Sequence, residues 1–209
     1  MTQPAAERAY EHTKSLILTG GFAGGEIVSE VTVAEELGIS RTPVHEAFLR
    51  LEGEGLLSLA PRRGAAVVPM APDEARDVLE MREAIECSTA RRALATGRLP
   101  GGVLADMAEN VARQRELAQA GDEERFVVLD SEFHAILIRA SRNATALFFH
   151  DLLRDRQHRL RHQLLQVGPE EVEGALAEHE LMLSAAEQGD ADELCRLIAT
   201  HVQRHRGIL

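Results

Sequence analysis

The chain has no tryptophan, one tyrosine (Tyr10) and one lysine (Lys14) among its 209 residues. It has two cysteines, Cys87 and Cys195, far apart along the chain. Two isolated thiols fit a reducing cytoplasm better than a disulfide framework. No apolar run is long enough to span a bilayer, so no membrane partner is expected. The N-terminal "MTQPAAERAYEHTK" is polar and lacks the apolar core of a secretion signal. Positive charge is short too, with a net charge of −11. DNA affinity comes largely from neutralising phosphates, which argues against a broad nucleic-acid surface. Residues 1–70 carry 6 Lys/Arg against 9 Asp/Glu, and residues 71–209 carry 17 against 25. A DNA contact would have to be a local arginine patch in the first part.

What is present divides at "VPMAPDE", a linker with Pro69 and Pro72. Residues 1–70 and 71–209 are therefore expected to form two domains. In the first, "AAERAYEHTKSLILTGG" reads as a helix closed by Gly20 and Gly21. "TVAEELG" reads as a short helix capped by Thr32, with Glu35 completing a capping box and Gly38 ending it. "ISRTPVHEAFLRLEGEG" follows, with Ser40 or Thr42 as cap and Pro43 in the first turn. Its apolar stripe is Val44, Ala47, Phe48 and Leu51. "LLSLAPRRGAAVV" reads as two strands and a turn.

Three helices and a hairpin are the parts of a winged helix-turn-helix, whose third helix enters the major groove by its N-terminal end. With the stripe on the core, Arg41, Thr42 and His45 face outward there. Arg41 suits guanine or phosphate, and Thr42 suits phosphate. Arg62, Arg63 and Gly64 fall at the hairpin tip, where a cation can enter a minor groove. A capped helix and an arginine-bearing turn also occur in small helical domains that bind nothing.

From Pro72 the period stays helical, with helices expected near 72–97, 101–120, 123–141, 144–165, 169–188 and 190–207. Short connections make neighbours antiparallel. The fold class is therefore mostly α, a winged helix-turn-helix followed by an all-α antiparallel bundle. Within "VLDSEFHAILIRAS", Asp130 and His134 lie four apart on the face that carries Val127, Leu137 and Ile138. Burying such a pair is costly without partners. His179 and His201 each stand 11 residues from Asp190, near which the chain turns, so an antiparallel hairpin sets them level. Taken singly, each histidine is better read as a core residue satisfied by a neighbour. Together, three imidazoles and one carboxylate favour a divalent transition metal, zinc first, with nickel or manganese as alternatives.

Arg82 shares a face with Val78 and Ile85 and should point inward. Its partner is equally well a ligand carboxylate or Glu86 at i+4. Asn143 reads first as a helix cap and second as a pocket residue. His158 and His162 form another i, i+4 pair, in a run better read as a solvated or dimer-contacting face.

The segments "G.....GE", "AEELGISRTPV.EA...LE.EGLL" and "P.RGA.V" closely resemble the DNA-binding domain of the GntR family of bacterial transcription regulators. The resemblance implies that Ser40, Arg41 and Thr42 contact DNA and that Gly64 marks the wing tip. The family usually has Arg where His45 stands, and a neutral His lacks the guanidinium fork. "R..IE" at Arg82–Glu86, "D..FH" at Asp130–His134, then His179 and His201 resemble the FCD branch, in its six-helix version. In many members those four positions hold a metal that helps bind a small carboxylate. What this implies is a cytoplasmic, ligand-responsive repressor that binds a palindromic double-stranded DNA operator as a homodimer and a small organic-acid effector through Arg82 and Asn143. A metal-dependent enzyme is the alternative, and a metal sensor a weaker third. The enzyme reading needs an inward general base beyond the ligands, and the sequence offers none that stands out.

Overall fold

The computed structural model describes residues 3–60, 64–95, 99–165 and 169–206, without the side chains of 72, 161–165 and 205–206. The chain divides into two compact units, Met1–Ala71 and Pro72–Leu209.

The first unit runs α1 (Ala5–Leu18), β1 (Ile27–Val28), α2 (Glu30–Leu37), α3 (Arg41–Gly53), β2 (Leu57–Ala60) and β3 (Gly64–Val67). The expected hairpin is present, with Ser58 opposite Ala66 and Ala60 opposite Gly64. β1 adds a third, antiparallel strand on the other side of β3. Two residues carry no alternation, so nothing in the chain announces this strand. Gly64 is required where it stands: its φ is +95°, and a Cβ would run into the Val28 carbonyl of β1. The stripe Val44, Ala47, Phe48 and Leu51 is buried with Ala9, Ile17, Val33 and Val67.

The start of α2 corrects the sequence reading. Ser29, not Thr32, is the cap, and its hydroxyl accepts from Val31 N at 3.2 Å. Ser29 has the extended backbone a cap needs, and Glu30 then sits in the first turn, where the helix dipole favours an acid. Gly38 ends the helix in the left-handed conformation, as expected.

The second unit is six helices: α4 (Pro72–Ala93), α5 (Gly101–Ala120), α6 (Glu123–Ala140), α7 (Ala144–Leu165), α8 (Pro169–Gln188) and α9 (Ala191–Arg206). α6 packs on α4, α5 and α7, and α9 packs on α4 and α8. α6 is buried through Phe126, Val127, Phe133, Leu137 and Ile138, so its polar residues are also enclosed. Side-chain caps start three of these helices: Asp122 on Arg125 N, Asn143 on Ala146 N, and Asp190 on Glu193 N. Gly189, at φ +72°, turns α8 into α9 with Asp190 N bonded back to Ala185 O.

Candidate functional site

The opening of α3 presents Ser40, Arg41, Thr42 and His45 to solvent. Ser40 occupies the cap position but makes no capping bond with its side chain. Arg41 and His45 converge on one acid of α2. Arg41 Nη2 donates to Glu30 Oε2 at 3.2 Å, and His45 Nδ1 lies 2.7 Å from Glu30 Oε1. Burial alone would raise the Glu30 carboxyl; the hydrogen bonds from His45 and Arg41 outweigh it and hold it below the ordinary value. Gly64 opens β3 at the foot of the wing. Arg62 and Arg63 lie outside the described residues.

In the second unit, Asp130, His134, His179 and His201 are all buried, and one ligand atom from each lies within 4.8 Å of every other. α6 supplies the first two, α8 and α9 one each. Asp130 Oδ1 is 3.3 Å from His179 Nε2 and 4.0 Å from both His134 Nε2 and His201 Nε2. His134 Nε2 and His179 Nε2 are 3.2 Å apart. Donors bonded to one zinc at about 2.0–2.2 Å stand at roughly such separations from each other.

The outer nitrogens fix the tautomers. His179 Nδ1 is 2.7 Å from Gln114 Oε1, and the Gln114 amide is oriented by its own bond to Asn110 Oδ1 at 2.7 Å. His201 Nδ1 is 2.7 Å from Glu178 Oε2, and His134 Nδ1 is 2.7 Å from Glu86 Oε2. The last contact is a buried ion-pair contact. All three partners are acceptor oxygens, which favours tautomers that carry the proton on Nδ1 and turn Nε2 toward Asp130. Three imidazole Nε2 atoms and a carboxylate oxygen therefore face one another in a buried space. A single cation among them would meet all four ligand atoms. The residues present fit a divalent transition metal.

Burial lowers His134, opposed by the Glu86 carboxylate beside it. For Glu86, burial works upward, but Arg82 and His134 bring its carboxyl well below the usual range. Arg82 Nε donates to Glu86 Oε1 at 2.7 Å, so the internal pair is made. Arg82 Nη2 remains buried with no hydrogen-bond partner among the described residues. Asn143 spends its carbonyl oxygen on the α7 cap. The His158 side chain is described and that of His162 is not; the described metal-type cluster does not include His158.

Sequence reasoning missed two supports. Gln114 shares a buried face of α5 with Met107, Asn110 and Val111, a polar interruption of a helical stripe that could have flagged it. Glu178 adjoins His179 and is held by Arg204, whose guanidinium crosses α8 at Gly174, where a Cβ would obstruct it. The view that no further acid points inward is thus corrected: Glu86 and Glu178 both do, each committed to a histidine.

Residues 5–67 match the bacterial regulatory proteins of the gntR family, and residues 77–204 match the FCD domain. The chain belongs to the GntR family. This GntR protein is 29% identical over 203 residues to the HTH-type transcriptional repressor RspR of Escherichia coli (strain K12), covering 97% of this chain and 87% of that one. It is 32% identical over 135 residues to a probable D-xylose utilization operon transcriptional repressor of Paenarthrobacter nicotinovorans, covering 63% and 57%. Its fold matches the solved structure of E. coli McbR/YncC with a TM-score of 0.80, at 22% identity over 99% and 97% of the two chains. A putative GntR regulator from Rhodococcus sp. RHA1 also gives 0.80, at 18% identity over 97% and 96%. The GntR chain is a transcription regulator and not an enzyme, and no helix among its described residues is long and apolar enough to cross a membrane.

Proposed function

We propose that this regulator is a cytoplasmic repressor that binds a palindromic operator as a homodimer and is released by a small organic acid bound beside a metal. The observation that carries the reading is the convergence of three imidazole Nε2 atoms and Asp130 Oδ1 in a buried space. Asp130, His134, His179 and His201 would hold the metal; zinc fits the mixed imidazole and carboxylate set best, with nickel or manganese next. When bound, the metal supplies a Lewis-acidic charge for an effector carboxylate. Arg82 serves that carboxylate through Nη2, while Glu86 fixes the guanidinium through Nε. Asn143, at the start of α7, lines the same effector site in this reading.

Ser40, Arg41, Thr42 and His45 would meet one half-site, with Arg62, Arg63 and Gly64 at the wing. A second copy meets the other half-site, as two-fold symmetry requires. The exposed cluster of Phe148, Phe149 and Leu152 on α7 offers that copy an apolar surface. Repression is supported by relatives named as repressors. The effector acts only by binding one arrangement of the protein better than the other.

The test is direct. DNA fragments selected by the purified protein supply an operator; the operator complex is then titrated with a panel of mono-, di- and hydroxy-carboxylic acids. Release by one class, lost in chelator-stripped protein and restored by zinc, is the expected result. Equal release with and without metal would overturn the coupling.

A further inference from the structure

Cys87 of α4 and Cys195 of α9 meet across 108 residues of sequence. Cys87 Sγ lies 3.5 Å from the Cys195 carbonyl, and Cys195 Sγ lies 3.4 Å from the Cys87 carbonyl. The contacts are reciprocal, so each thiol reaches over the other's backbone. An open cleft of about 690 Å³ lies against them, lined by Glu83, Cys87, Arg91, Asp192, Cys195 and Arg196 among others. Cys87 is half-buried and Cys195 buried. The neighbouring Cys87 brings the Cys195 thiol below its ordinary value, helped by the Arg91 charge against the cost of burial, and the Cys87 thiol is pushed up in return.

We propose that Cys87 and Cys195 are a dithiol oxidation site, closed to an intramolecular disulfide by a hydroperoxide, that staples α4 to α9. The Cys195 thiolate attacks one peroxide oxygen. The O–O bond breaks, leaving a sulfenic acid on Cys195 and an alkoxide or hydroxide that takes up a proton. The Cys87 sulfur then attacks the sulfenic sulfur, and its proton leaves with the displaced oxygen as water. Two thiols lose two electrons; the hydroperoxide is reduced to an alcohol or water.

The staple joins two helices that bear on the metal-type cluster. Cys87 adjoins Glu86, whose carboxylate faces His134 and Arg82, and α9 carries His201. Tying α4 to α9 restrains the movement that effector binding needs, a consequence that rests on the function proposed above. The disulfide itself does not rest on it.

The experiment treats reduced, full-length protein with stoichiometric hydrogen peroxide, then alkylates and maps peptides. Both thiols should become protected together in one crosslinked 87–195 peptide, restored by dithiothreitol and absent in Cys87→Ser and Cys195→Ser. Hydrogen exchange in α4 and α9 around the two cysteines should slow at least about tenfold in oxidised wild type and not in either variant. Thiols that stay alkylatable, or that link one chain to another, would overturn the site. A disulfide that leaves exchange unchanged would overturn the staple. Zinc loading of the same samples reads the metal centre separately: a chain that takes no zinc yet forms the disulfide contradicts the metal reading and supports this one.

Discussion

Glu30 is the residue on which the proposed reading head turns. It holds Arg41 and His45 together in the DNA-free protein, and phosphate would have to displace it from one or both. Glu30→Gln should therefore tighten DNA binding, by roughly three- to tenfold, a gain on the scale of 1 kcal/mol. Fluorescence anisotropy on the selected operator reads this; weaker binding would mean that Glu30 positions the cations for DNA and does not compete with it. The same pairing has a pH signature. A carboxyl held below its ordinary value stabilises the fold above that value and loses the contribution as pH falls through the folded one. The gap in melting temperature between wild type and Glu30→Gln should accordingly narrow from about pH 6 to about pH 3. Arg41→Ala should cost about 1–3 kcal/mol of operator affinity with metal content unchanged. Near wild-type affinity would remove Arg41 from the base-reading role. His45→Arg should strengthen binding and steepen its salt dependence by about one phosphate contact, and an unchanged slope would place residue 45 away from the backbone.

At the scale of elements, the site depends on the outer partners that α5 and α8 supply as much as on the ligands themselves. Gln114 and Glu178 orient His179 and His201 through their Nδ1 atoms. Gln114→Ala or Glu178→Ala should weaken metal affinity about 10–100-fold with the fold retained, as loss of such outer partners does. Competition with a chromophoric chelator measures it, and unchanged affinity would make these contacts mere core satisfaction. Much of this framework was legible in the chain. Short breaks such as "AGDEE" and "SRN" place the helix bounds within a few residues, and α4 stops at Ala93, before the expected 97. The level of His179 against His201 followed from counting to the Gly189–Asp190 turn. What was not legible depends on partners remote in sequence or on elements too short to have a period. Gln114 meets His179 65 residues away. β1 exists only because β3 offers it an edge. Ser29 caps α2 because the strand before it delivers an extended backbone, which composition does not reveal. Cys87 and Cys195 read as isolated thiols until α4 is laid on α9.

For the whole molecule, the ion of the proposed function is part of the fold of the second unit and the switch for the first. Three histidine Nε2 atoms and a carboxylate oxygen gather in a buried space, where a single cation would meet all four. Stripping the metal should lower the melting temperature of the full chain by several degrees, since binding to the native state alone stabilises it by mass action. It should leave effector-free DNA binding nearly unchanged, because Arg41 and His45 belong to the unit that ends at Ala71. The most direct measurement is calorimetric titration of chelator-stripped protein with zinc, run beside His179→Ala and Asp130→Ala. Wild type should take up one zinc per chain, and both variants should lose that site while still binding operator. Wild-type protein that takes up no divalent metal, or variants that bind it as tightly as wild type, would contradict it.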